Sequence, residues 1–136
     1  MKEAVYRVLT KPKRIRAQIT KSEAEMQGLR LSMLPGAIRY DKDKIQTSPD
    51  DPMTKYAARM DDLTRKITEL KNEYMDAQDE VVDLANTLDD PQSVIITLRF
   101  ISGCDFSEIA KSLHMSERQM FRYYKQATDE LGKRCH

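Results

Sequence analysis

From Met53 onward the apolar residues recur in unbroken alternating steps of three and four: Met53, Tyr56, Met60, Leu63, Ile67, Leu70, Tyr74, Ala77, Val81, Leu84 and Leu88. A period of 3.5 keeps one stripe of a helix turned toward a partner along its whole length. No Gly or Pro falls between Met53 and Asp90. Pro52 sits where a first helical turn tolerates proline, and Asp50 or Asp51 can cap the start. Pro91 ends the run. The pattern predicts one long coiled-coil-like helix of about 36 residues.

Upstream, Ile15, Ile19, Ser22, Met26, Leu29 and Met33 repeat the same spacing, so a second helix is expected over residues 13–33. The connection from Leu34 to Asp51 is long enough for the two to fold back as an antiparallel hairpin. Pairing of the long helix with a second subunit is the other way to cover its stripe. A parallel in-register dimer would set Lys66 opposite Lys71 of the partner, which leans against that arrangement. Several seam sites hold Tyr, Ala or Met, and a two-helix hairpin leaves apolar surface uncovered. Self-association is therefore expected, as a dimer first. Within the 34–52 connection, Pro35-Gly36 and Ser48-Pro49 are turn signals, while Ile38, Tyr40 and Ile45 are apolar enough to pack onto the hairpin.

The spacing changes after Pro91. Gln92 to Ile101 reads as a short helix with Val94, Ile95, Leu98 and Ile101 on one face, stopped by Gly103. Asp105 and Glu108 form a capping box opening a second short helix, in which Ile109, Ala110 and Leu113 point one way. His114-Met115 is a tight turn with Met115 as an apolar plug. Ser116 and Gln119 form another capping box, opening a helix over 116–131. A short helix, a turn of about three residues and a longer capped helix make a helix–turn–helix. The expected organisation is all-α: residues 1–52 as N-terminal helix and connection, 53–90 as the heptad helix, and 91–136 as the helix–turn–helix domain.

Placed at 100° per residue, Met120, Tyr124, Ala127 and Leu131 form the core face of the last helix. Arg118, Arg122, Lys125 and Asp129 lie opposite, with Glu117 and Phe121 along one edge and Gln119 on the other. Arg grips guanine O6 and N7 with two donors, and Gln does the same for adenine. Ser116, Glu117, Arg118, Gln119, Phe121, Arg122 and Lys125 are the expected DNA-contacting residues, with double-stranded DNA as the partner. Lys11, Lys13, Arg14, Arg16 and Lys111 are candidate phosphate contacts.

Composition sharpens this picture. The chain of 136 residues is 33% charged with a net charge of only +1. That balance is a cancellation: residues 1–50 are strongly basic, 51–90 acidic and 91–136 mildly basic. Long-range attraction to DNA should therefore be modest, and binding should lean on local contacts and on two copies. No apolar run is long enough to span a membrane, and Met1 to Tyr6 contains no apolar signal-peptide core. Cys104 and Cys135 make no disulfide framework, which fits a reducing cytoplasm. His114 and His136 have no motif-spaced nucleophile, the cysteines and histidines lack metal-ligand spacing, and four glycines provide no phosphate cradle. Neither enzymatic activity nor a cofactor or metal is expected.

The segment CDFSEIAKSLHMSERQMFRYYKQATDEL resembles the DNA-binding helix–turn–helix of region 4 of bacterial sigma factors, and ITLRFISG resembles the helix leading into it. Nearly the full chain resembles a family of small phage and prophage proteins of Gram-positive bacteria, related to the ArpU and RinA types of late-gene transcription regulators. The helix ending near Leu29-Arg30, the segment Ile45-Gln46-Thr47-Ser48-Pro49, the Asp61-Asp62-Leu63 helix and the terminal module carry that resemblance. Phe106 stands where many relatives have Trp, and Glu117 and Asp129 make the last helix less basic than a sigma factor's. The resemblance implies a transcription regulator working in a bacterial host cell, with RNA polymerase as a candidate second partner. A small terminase-like DNA-packaging subunit combines the same parts and would form a ring of about eight or more subunits. A coiled-coil protein-interaction adaptor would show no salt-dependent DNA binding.

Overall fold

The computed structural model describes residues 2–34 and 51–134. They form five helices: α1 (Glu3–Ser32), α2 (Pro52–Ala85), α3 (Gln92–Phe100), α4 (Phe106–Ser112) and α5 (Glu117–Arg134). No strand occurs among the described residues, and the fold is all-α. The expected packing of Ile38, Tyr40 and Ile45 falls outside the described residues. The chain forms two compact units, one from its first fifteen residues and everything from Glu73 onward, the other from Arg16–Asn72.

The first helix is longer than its expected span of 13–33. It begins at Glu3 and carries Pro12 in its interior. The apolar stripe explains this, because Val5, Leu9 and Pro12 are buried and extend the row that Ile15 and Ile19 continue. A proline nitrogen donates nothing, so the carbonyl four residues earlier loses its helical partner. Beside this interruption Arg14 donates to the Arg7 carbonyl and to Thr10 Oγ1, both at 2.9 Å. Glu3 and Arg7 form an i,i+4 ion pair in the first turn, at 2.9 Å.

In the Arg16–Asn72 unit, α1 and α2 pair antiparallel. Residues 25–32 of α1 lie across from 59–63 of α2, and Glu23 Oε1 lies 3.9 Å from Lys71 Nζ. Ile19 and Ser22 of α1 and Ile67 and Leu70 of α2 are buried. Burial is lower toward the start of α2: Tyr56, Met60 and Leu63 are half-buried, and Met53 is exposed. The start of α2 is capped as expected, with the Met53 N–H donating to Asp51 Oδ1 at 3.4 Å.

The other unit has two apolar clusters. Val5, Leu9, Val81, Ala85, Leu88, Ile96, Ala127 and Leu131 form one; Ile95, Ile109, Ala110 and Met120 form the other. Helix α3 serves both, so the adjacent residues Ile95 and Ile96 are each fully buried. A one-faced reading of α3 misses Ile96, because a helix packed on two sides shows no single apolar stripe. Helix α2 stops at Ala85, short of the expected length, and its chain tightens so that Leu88 N–H donates to the Ala85 carbonyl at 3.1 Å. At the other end of the unit, Lys2 Nζ donates to the Gly132 carbonyl at 3.0 Å, placing a cation on the last turn of α5.

Candidate nucleic-acid interface

The site grows from two capped helix starts. Asp105, with extended backbone, accepts the Glu108 N–H at 2.8 Å and opens α4. That N–H bond holds the Asp105 carboxyl below its ordinary value of 3.8, aided by the Glu108 side chain, the Ser107 N–H and the Lys111 charge. Its hydrogen-bonded neighbour moves the other way: Glu108 is raised from 4.5, first by the hydrogen bond to Asp105 and then by that residue's charge. At the second start, Ser116 Oγ accepts the Gln119 N–H at 3.1 Å and opens α5. Both expected caps form.

Between them the chain turns sharply. His114 adopts φ +54, a left-handed conformation that ends α4, and its N–H donates to the Lys111 carbonyl at 3.2 Å. The Met115 N–H reaches the Ala110 carbonyl at 3.1 Å, and its side chain packs half-buried against the Ile95–Met120 cluster. Ala110 is buried there with 3% of its surface exposed, so α5 passes close over α4. Gly103, at φ +74, closes α3, and Cys104 N–H donates to the Leu98 carbonyl at 3.0 Å.

Helix α5 divides as its sequence predicts. Met120, Ala127 and Leu131 are fully buried, and Tyr124 is half-buried. Burial raises the Tyr124 phenol above 10.0; the Tyr6 charge adds to the rise, whereas Arg99 opposes it. Arg118, Arg122, Lys125, Glu117, Asp129 and the capping Ser116 are exposed, and Gln119 is half-buried. None of Arg118, Arg122 and Lys125 enters an ion pair among the described residues. Their donors are therefore free to meet base edges or phosphates.

Phe121 is shared between surface and interior. It is 42% exposed, yet its ring lies 4.7 Å from that of Phe106. Phe106 also meets Tyr124 edge-on at 5.2 Å, and the Arg99 guanidinium lies 4.1 Å from the centre of the Phe106 ring. Arg99 donates to the Cys104 carbonyl at 3.2 Å as well. This clamp ties the end of α3 to the starts of α4 and α5. Sequence periodicity does not mark Arg99, because its role is to join neighbours that are distant along the helix pattern.

The candidate phosphate contacts are less concentrated. Lys111 is exposed on α4 beside the Asp105 and Glu108 carboxylates, so it meets opposing charge on its own helix. Lys11, Lys13, Arg14 and Arg16 are exposed on α1, a different element, and fan around it rather than share one face. The Arg14 guanidinium is engaged with Arg7 and Thr10, and Arg16 belongs to the other compact unit.

A tri-helical core with two capped starts, a plugged turn and a cationic exposed face on the last helix defines a helix–turn–helix module. Residues 78–131 match the family model described as Sigma-70, region 4, so the module is sigma-factor region-4-like, a DNA-binding class of helix–turn–helix. The match starts within α2 and runs to the buried Leu131 of α5. No curated protein and no solved structure matches this chain. No helix of the described residues is long and apolar enough to cross a membrane. No group of three or more His, Cys, Asp or Glu among the described residues could hold a metal ion.

Proposed function

We propose that this chain is a sequence-specific DNA-binding transcription regulator of phage or prophage type, acting in the bacterial cytoplasm with α5 in the major groove. The observation that carries the reading is the exposed face of α5, where Arg118, Arg122 and Lys125 stand without ion-pair partners. Arg118 and Arg122 offer the two-donor fork suited to guanine, Gln119 suits adenine, and Phe121 can meet a thymine methyl. Glu117 accepts from cytosine and repels phosphate, sharpening choice at the expense of affinity. Ser116 and Lys125 sit where the helix start and its flank approach the backbone, and Lys111 and the α1 cations add weaker phosphate contacts. The region-4 likeness supports RNA polymerase as a second partner.

The test is selection of bound fragments from the encoding genome, followed by gel shift with the selected site. Replacing Arg118 and Arg122 together by Ala should lower specific affinity by at least tenfold, since each bidentate contact contributes about 1–3 kcal/mol. Unchanged specific affinity would remove α5 as the reading helix.

A further inference from the structure

Glu117 and Phe121 lie four residues apart in α5, on the edge of its exposed face where Phe121 meets the start of α4. Side chains at that spacing stand side by side, with Cβ atoms about 5–6 Å apart. They offer different chemistry. Glu117 is exposed and enters no ion pair among the described residues, and its carboxylate only accepts hydrogen bonds. Phe121 offers an apolar ring that is 42% exposed. That ring is held by Phe106 at 4.7 Å, which is itself met edge-on by Tyr124 at 5.2 Å and backed by the Arg99 guanidinium at 4.1 Å. A contact surface fixed by three helices loses little freedom on binding. Phe121 is the fixed member of the pair, and Glu117, with its flexible stem, the adaptable one.

The major-groove edges of the pyrimidines differ in these same two features. Cytosine presents an amino donor at N4 and a bare C–H at the adjacent C5, whereas thymine presents the O4 acceptor and a C5 methyl. A carboxylate takes the amino group and is repelled by O4. An aromatic ring gains from the methyl and buries almost nothing against a bare C–H. Neither standard pyrimidine satisfies both side chains. We propose that Glu117 and Phe121 read one base jointly, and that the base they fit best is 5-methylcytosine, which carries the N4 donor and the C5 methyl on neighbouring ring atoms. This preference rests on α5 entering the major groove and makes the module a reader of cytosine-methylated DNA.

Gel shifts of the full chain with its genome-selected site test this, each pyrimidine of the site in turn being cytosine, 5-methylcytosine, uracil or thymine, paired with guanine or adenine accordingly. At one position the wild type should bind 5-methylcytosine about fourfold more tightly than cytosine, the effect of taking one methyl group out of water. At that same position it should bind cytosine at least about fivefold more tightly than uracil. Phe121→Ala should abolish the methyl gain there and keep the preference for cytosine over uracil. Glu117→Gln should do the reverse, because an amide both donates and accepts. The wild-type series stands without any variant, and circular dichroism confirms that each variant keeps its helices. The proposal is overturned if no position shows both preferences, if they fall at separate positions, or if either survives the change assigned to it. Specific binding that survives the Arg118→Ala/Arg122→Ala change removes α5 as the reading helix and this preference with it. Binding that is lost with that change but shows no methyl gain strikes the Glu117–Phe121 pair alone.

Discussion

The Arg99 guanidinium lies 4.1 Å from the centre of the Phe106 ring while donating to the Cys104 carbonyl at 3.2 Å. One side chain thereby fixes the chain reversal between α3 and α4 and backs the ring on which Phe121 rests. Arg99→Ala should destabilise the module by about 1–2 kcal/mol, from loss of the ring contact and of one charge-assisted bond. Arg99→Lys should recover little, because an ammonium cannot stack and donate in the same planar geometry. Urea unfolding of the two variants beside wild type decides it, and equal midpoints for all three would contradict the clamp.

The two carboxyls at the start of α4 give acid behaviour of opposite sign. Asp105 has a lowered folded pKa, so its contribution is present above its ordinary 3.8 and fades as pH falls through the folded value. Glu108 has a raised folded pKa, so its contribution is full below its ordinary 4.5 and fades as pH rises through the folded value. Asp105→Ala should lower the melting temperature at neutral pH and flatten the acid limb of the stability profile. Glu108→Gln should leave the neutral-pH melting temperature equal or higher, since it relieves the like charge beside the cap. A neutral-pH loss from Glu108→Gln as large as that from Asp105→Ala would refute this account.

Two glycines should respond in opposite directions to alanine. Gly28 lies inside α1, where an added Cβ would meet nothing within 4 Å, so Gly28→Ala should gain about 0.5–1 kcal/mol from helix propensity. Gly103 holds φ +74, where an L side chain is strained, and Gly103→Ala should lose about 1 kcal/mol. Thermal melts of the two variants give the comparison directly.

Core and reading face of α5 should separate cleanly. Met120 is fully buried, and Met120→Ala should cost about 2–5 kcal/mol of stability. Lys125, exposed on the same helix, should leave the melting temperature unchanged when replaced by Ala. If it meets a phosphate, the slope of log affinity against log salt should fall by about one, with little change in sequence preference. A Lys125→Ala effect confined to one base position would instead make it a base contact.

Much of the architecture was legible because it rests on local rules. The long α2 helix, the N-caps Asp105 and Ser116, the Met115 plug and the buried face of α5 each follow from spacing within a turn or two of helix. The start of α1 was not, since tolerance of Pro12 depends on burial of Val5, Leu9 and Pro12 in the same stripe. Ile96 was hidden for a related reason: a helix buried on two sides has no single face to read. For the site, the sequence separates Arg118, Arg122 and Lys125 from the core, but not the phosphate candidates. Arg14 looks free in the sequence and is engaged with its own helix, and Lys111 proves to lie beside two carboxylates.

The sequence by itself determined α2, α4 and α5, their N-caps and the charged face of α5, because periodicity and capping act between residues three or four apart. Only the tertiary structure decided which neighbours each helix serves: α3 between two apolar clusters, Phe121 against Phe106, Arg99 across the α3–α4 reversal. Those relations depend on segments meeting in space, where packing and desolvation, rather than intervals along the chain, set the energy.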